Sequence, residues 1–150
     1  MNEKTIFLWI GGRCLEWFKD DFIISDDIDL IQLDRVSQLL SSTYWGSERT
    51  TENIKKGINH SLTFSLYHIG KQIGFARVIT DRAVFSWILD VVVAEGYRGN
   101  GLGKWLIECI LEHPEIENTA FALATSDAQD FYKKFRFKEN VCMTKPYLTK

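Results

Sequence analysis

The chain has 150 residues, 45% of them apolar and 25% charged, with a formal net charge of −2, which fits one domain with a real core. The weakly acidic balance excludes the global basic field that holds nucleic acid, and no run of about 18 apolar residues is present to form a spanning helix. Three cysteines at positions 14, 109 and 142 give neither a disulfide framework nor a zinc spacing. Residues 1–5 carry no signal pattern, so a reducing, cytoplasmic setting without a metal or a membrane partner is expected.

In chain order, Ile6-Phe7-Leu8-Trp9-Ile10, Gly11-Gly12 and Cys14-Leu15-Glu16-Trp17-Phe18 read as a hairpin turning at the glycine pair. Phe22-Ile23-Ile24-Ser25 reads as a further strand. Leu33, Val36, Leu40 and Tyr44 recur at helical spacing, Leu39 widens the stripe, and Gly46-Ser47 ends the helix. Thr50 or Thr51 can cap a second helix through Ile54 and Ile58, weakened at Gly57 by about 1 kcal/mol relative to Ala.

Three strand patterns follow, at 62–67 with alternating apolar and polar residues, at 72–79 and at 84–93. Their short connections at Gly70-Lys71 and Asp81-Arg82 imply antiparallel hairpins. Leu102, Trp105, Leu106, Cys109 and Ile110 then fall on one helix face, and Pro114 stops that helix. Residues 119–124 read as a buried strand, parallel to 89–93 because a helix crosses between them. Asp127 is expected to cap a last helix, and a strand near 137–144 to close the sheet. The order implies an α+β fold, a mixed and mostly antiparallel sheet with helices on both faces.

Between the 84–93 strand and its following helix lies Arg98-Gly99-Asn100-Gly101-Leu102-Gly103-Lys104. Glycines there permit positive φ and close approach of a ligand, and the first helical N–H groups lack internal partners at the positive end of the helix dipole. Phosphate suits such a place. A Walker loop closing at Gly103-Lys104 would need Gly at 98 and Ser or Thr at 105, where Arg98 and Trp105 stand. A dinucleotide fingerprint starting at Gly99 or Gly101 would end on Gly at 104 or 106, where Lys104 and Leu106 stand.

The form that fits is Arg/Gln-x-x-Gly-x-Gly/Ala, matched by Arg98, Gly101 and Gly103 with Tyr97 before the arginine. Here the chain resembles the GNAT superfamily of N-acetyltransferases, whose pyrophosphate loop binds acetyl-coenzyme A. A second block, Asp127-Ala128-Gln129-Asp130-Phe131-Tyr132-Lys133-Lys134-Phe135-Arg136-Phe137, resembles the family's later helix, Ala-x-x-Phe-Tyr-x-Lys-x-Gly-Phe. The likeness implies the GNAT (acyl-CoA N-acyltransferase) fold as a single domain, with the strands at 89–93 and 121–124 splayed to admit the pantetheine arm. It assigns acetyl-CoA, as cosubstrate, to Val91, Val92, Val93, Arg98, Gly99, Asn100, Gly101, Leu102, Gly103, Lys104, Asp127 and Phe131. The lysine pair Lys133-Lys134 reads as a solvated helix face or a cofactor contact.

Amide formation from a thioester needs a neutral amine about 3 Å from the reacting carbon, a donor for the oxyanion and a proton for the leaving thiolate. By resemblance Tyr132 is the general acid, since a phenol of pKa about 10 keeps its proton at neutral pH; the alternative is a packing tyrosine. Val92 would supply the oxyanion N–H. Asp90 is the candidate base, directly or through water, and equally could bond a backbone group or bind a substrate cation. Tyr44, Trp45 and Phe85 could wall the acceptor pocket, with Arg49, Glu52 and Asp90 supplying charge for a cationic amine, and Thr125 and Ser126 as donors. His60, His68 and His113 are expected at the surface. No residue reads as a covalent acetyl carrier. Arg136 replaces the family's glycine at a left-handed helix end; either it costs about 1 kcal/mol there or the helix ends differently.

The expected activity is transfer of acetyl from acetyl-CoA to a primary amine of a small molecule by direct attack in a ternary complex. A non-catalytic coenzyme A-binding module and an acetyltransferase acting on a protein amine are the alternatives. A terminal strand would invite edge pairing, so the chain is expected as monomer or homodimer, with Lys145 and Pro146 blunting that edge.

Overall fold

The alternation of short apolar runs and tight turns resolves into one sheet of seven strands lying side by side in chain order. The computed structural model describes residues 5–8 and 14–145. The strands are β1 (Thr5–Leu8), β2 (Leu15–Lys19), β3 (Phe22–Ser25), β4 (Leu62–His68), β5 (Lys71–Thr80), β6 (Phe85–Val93) and β7 (Ala120–Ala122). Helices α1 (Leu33–Ser41) and α2 (Thr51–Asn59) join β3 to β4, α3 (Leu102–Leu111) crosses from β6 to β7, and α4 (Gln129–Lys133) follows. All neighbours are antiparallel except β6 and β7, which are parallel. No described helix is long and apolar enough to cross a membrane.

Both faces of the sheet are covered. Leu106, Ile107 and Ile110 of α3 share a core with Trp17, Phe64, Leu66, Ala76 and Ile88. Val36, Leu39 and Leu40 of α1, with Ile54 and Ile58 of α2, pack against Phe75 and Val92. Adjacent strand residues point to opposite faces, so Phe75 and Ala76 divide the two cores. This double cover buries both faces of β4, so Thr63 and Ser65 are as buried as their apolar neighbours.

The expected N-terminal hairpin forms as β1 against β2, Leu8 opposite Leu15; its Gly11-Gly12 turn lies outside the described residues. Thr50 caps α2 by accepting from the Asn53 N–H at 3.1 Å. In the β5–β6 turn Asp81 Oδ1 accepts from the N–H groups of Ala83, Val84 and Phe85 at 2.9, 2.8 and 3.0 Å. These bonds favour the ionised form and bring the Asp81 carboxyl down to about 2.

Three expectations are corrected. Asp127 does not cap α4: the Ala128 N–H, at the start of the helix, donates instead to Thr125 Oγ1 at 3.1 Å. No strand forms over residues 137–145. Val141 and Met143 are 93% and 95% exposed, so the local alternation finds no sheet face to bury. His113 is not a surface residue but is buried between Trp17 and Phe64. Its Nε2 lies 2.8 Å from Asp26 Oδ2, and its Nδ1 accepts from the Glu115 N–H at 3.2 Å.

Arg136 does adopt the left-handed conformation expected of it, at φ +70°. Arg136→Gly should therefore raise stability by about 1 kcal/mol, measured by urea unfolding. Asp81 has a folded pKa below its unfolded value, so its contribution is present above about pH 4 and is lost as pH falls through about 2. Asp81→Asn should lower the melting temperature at pH 7, with the difference from the parent shrinking towards pH 2.

Candidate active site

Where β6 leaves β7, the sheet opens. The two strands pair only through Phe85–Ala120, Ser86–Phe121 and Trp87–Ala122. The parallel direction is as expected, but the pairing is at 85–87 and not at 89–93, which form the free flank of the splay. A bulge bends the strand here: Arg77 of β5 faces Leu89 while Phe75 faces Val92, so Asp90 and Val91 together oppose Ala76. Asp90 itself takes φ +58°, a conformation that Asp tolerates better than most residues. A bulge increases local twist and re-aims the strand, turning β6 away from β7.

The backbone alternation of β6 can be followed from its end. The Ala94 N–H donates to Ile73 O at 2.7 Å, so Ala94 and, two residues back, Val92 direct their N–H groups at β5. Val93 faces the other way, and its carbonyl accepts from Arg98 Nε at 3.0 Å. Val92 is thus not placed to supply the oxyanion donor, and the groups on the free flank are those of Val91 and Val93.

The loop follows at once. A short turn at Glu95–Tyr97 leads to Arg98, and Gly99 and Gly101 take φ +81° and +74°. A Cβ on either glycine would meet nothing within 4 Å, so the requirement is conformational and the space over the loop is open. The N–H groups of residues 99–104 have no hydrogen-bond acceptor among the described residues. They converge at the α3 N-terminus beside the exposed Arg98 and Lys104, a cradle suited to a phosphate or pyrophosphate. Leu102 offers its N–H only, since its side chain is buried in the core. Asn100 Nδ2 braces the loop by donating to Tyr97 O at 3.2 Å.

Two supports hold this loop, neither visible in its motif. Tyr97 Oη lies 2.9 Å from His68 Nδ1, and Phe22 stacks on the His68 ring at 4.6 Å. The β2–β3 hairpin thus braces the start of the loop. On the other side Phe131 of α4 packs over Gly103, where a Cβ would stand 3.8 Å from its ring.

Tyr132, next to Phe131 at 5.0 Å between ring centroids, also packs against Phe137 at 5.8 Å. Burial, helped by the charge of Asp127, pushes its phenol up to about 12. Its hydroxyl has no hydrogen-bond partner among the described residues. Tyr132 contributes to a cleft of about 890 Å³ with Trp87, Phe121, Leu123, Phe135 and Val141. That cleft runs along β7 and the extended tail; it includes neither the loop nor Val91–93, so its size says little about the splay.

The residues expected to face an acceptor gather around Asp90. Its side chain is 3% exposed and both oxygens are engaged, Oδ1 by Arg49 Nη1 and Oδ2 by Arg77 Nε at 2.6 Å. Arg77 Nη1 also donates to Ser61 Oγ at 3.1 Å. Gly57 makes room: a Cβ on this α2 residue would stand 3.4 Å from the Arg77 guanidinium. Arg49 lies over the Trp45 ring at 5.7 Å, and Tyr44 Oη bonds Ser126 Oγ, joining the α1–α2 connection to the segment after β7.

Phe85 does not join Tyr44, Trp45 and Arg49. It is five residues, about 16 Å, from Asp90 along β6 and lines the β7 cleft beside Trp87. Sequence reasoning missed Arg77 and Ser61; the available signal was a lone arginine inside the apolar β5 run, which needs a buried partner.

Residues 59–139 match the acetyltransferase (GNAT) domain. The chain belongs to the GNAT acetyltransferase family. It is 33% identical to an uncharacterized N-acetyltransferase, ycf52, of Pyropia yezoensis, over 80% of this chain and 71% of that one. Identity to the ycf52 protein of Porphyra purpurea is 31%, over 89% of each. The chain spans 66% of a Gibberella zeae relative that is 25% identical to it. A solved structure from Xanthomonas campestris pv. campestris, described as belonging to the GNAT family, superposes with a TM-score of 0.80 at 32% identity, over 85% of this chain and 93% of that one. This GNAT protein is accordingly an acyltransferase with an open mixed sheet.

Removing Arg77 leaves the buried Asp90 Oδ2 without its donor, while Arg49 still balances the carboxylate. Arg77→Ala should cost about 2 kcal/mol in urea unfolding, whereas Arg77→Lys, which keeps the charge but loses the fork, should cost less.

Proposed function

We propose that this protein transfers the acetyl group of acetyl-CoA to a primary amine of a small molecule, by direct attack in a ternary complex and in a reducing, cytoplasmic compartment. The observation that carries the reading is the loop: the N–H groups of residues 99–104 lack acceptors among the described residues and stand at a helix N-terminus between two cations, next to a strand flank with unpaired backbone positions. The pyrophosphate would take the Gly99–Lys104 amides, and the pantetheine arm would pair with Val91 and Val93 in the splay. Acetyl-CoA supplies the activated acyl carbon.

The residues then divide the work. The amine nitrogen attacks the thioester carbon, a backbone N–H on the free flank of β6 holds the oxyanion, the C–S bond breaks and the amine loses a proton. Tyr132 donates a hydrogen bond to the departing sulfur. A phenol at about 12 facing a thiol of pKa about 8.5 would lose more than three powers of ten on full transfer, about 5 kcal/mol. Tyr132 therefore acts as a hydrogen-bond donor, with the thiolate free to leave as the anion. Asp90, with both oxygens engaged by guanidinium groups, orients Arg49; the ammonium proton leaves through water.

The test is release of free thiol from acetyl-CoA across a panel of amines. Gly101→Val, which strains a φ of +74° and fills the cradle, should raise KM for acetyl-CoA at least tenfold with a smaller change in kcat. Tyr132→Phe should lower kcat by tenfold to a hundredfold with little change in melting temperature. An unchanged KM in the first variant would remove the loop from cofactor binding. Acetyl-CoA binding without thiol release from any amine would favour a non-catalytic coenzyme A module.

A further inference from the structure

The acceptor site carries a charge pattern opposite to that expected of a site for polycations. Its one buried carboxylate, Asp90, faces two guanidinium groups. The cluster therefore holds one net positive charge, and that charge resides on its more exposed member: the Arg49 side chain is 31% exposed and that of Arg77 16%. The other acids nearby, Glu48 and Glu52, are exposed and make no ion pair with either arginine among the described residues.

Arg49 is also held in one orientation. Its Nη1 is fixed on Asp90 Oδ1 and its Cζ lies over the Trp45 ring. Among the described residues Nε and Nη2 have no acceptor. Those two atoms form the edge of a guanidinium that grips a carboxylate or phosphate through two parallel N–H groups. Asp90 is the bulge residue of β6, next to Val91 on the free flank, so Arg49 is anchored beside the strand on which the thioester is proposed to lie, its open edge directed away from Asp90.

We infer that the acceptor is a primary amine bearing an anionic group, a carboxylate or phosphate, which the free Nε–Nη2 edge of Arg49 binds while Asp90 and Trp45 position that arginine. This rests on the acetyltransferase reading above and names the substrate class of the same site. A diamine finds no unpaired buried carboxylate there and meets the field of Arg49.

The experiment uses matched amines on the full chain: β-alanine, β-alaninamide and 1,3-diaminopropane, with O-phosphoethanolamine against ethanolamine. Acetyl-CoA binding is first measured by calorimetric titration, then thiol release is followed for the parent, Arg49→Gln and Arg49→Lys. At least one anionic amine should exceed its neutral partner and the diamine tenfold in kcat/KM, and the β-alanine and O-phosphoethanolamine arms tell carboxylate from phosphate. Arg49→Gln should raise KM for that amine at least tenfold while kcat changes less than threefold, with no change for the neutral partner; Arg49→Lys should recover part of the loss. If acetyl-CoA binds and the neutral amine or the diamine is preferred, or the preference survives Arg49→Gln, the anion site is overturned and the transferase reading stands. If acetyl-CoA does not bind, the transferase reading fails and this inference with it.

Discussion

The clamp of two guanidinium groups on Asp90 holds together the features on which the site depends. A non-glycine residue at φ +58° is disfavoured by about 1 kcal/mol, and it persists because its carboxylate is fixed from α2's side by Arg77 and from the α1–α2 connection by Arg49. The bulge at Asp90 is what bends β6 and ends its pairing with β7 after Trp87. Geometry of the sheet and charge of the acceptor region thus have one origin. Gly57 belongs to the same arrangement, since the helix-weakening residue in α2 is where the Arg77 guanidinium lies.

The loop after β6 is built on a different principle. Its glycines supply conformations and open space, and the proposed hold on an anion would come from amides and the helix dipole. Precision comes from outside the loop, through Tyr97 on His68 and Phe22 and through Phe131 on Gly103. The β2–β3 hairpin therefore serves the site as well as extending the sheet. Four segments far apart in the chain, β2–β3, β4, the loop and α4, meet around six residues of backbone.

Much of this was legible in the sequence. Strand alternation, turn residues and the α3 stripe are local signals, and they located α2, α3 and β2–β7 closely, whereas α1 ends at Ser41, short of Tyr44 and of the expected break at Gly46-Ser47. The loop was legible because glycine is required where φ is positive. What escaped notice depends on partners distant in sequence. His113 reads as a helix-end residue until Asp26, 87 positions away, is seen beside it. Arg77 pairs with Asp90 across a bulge that no period reveals. At Asp127 the helix begins one residue later than its sequence suggests, with Ala128 at the cap position and no side-chain cap. The segment 137–144 has a strand's alternation, yet alternation forms a strand only where an edge and a face receive it.

The sheet's order in space repeats its order in the chain, and this has a consequence for how it comes apart. β4, β5 and β6 are joined by hairpins, and β4 and the middle of β5 are buried on both faces, so they form one cooperative block. β7 is attached through three residues to one neighbour and has no described strand beyond it. The segment from β7 through α4 is then the sub-global unit most readily released from the native state, and it carries Ser126, Phe131 and Tyr132. A ligand seated between β6 and β7 would bridge the block and the detachable segment, acting mechanically as the missing length of strand. Slowed amide exchange in residues 120–133 would report that bridging.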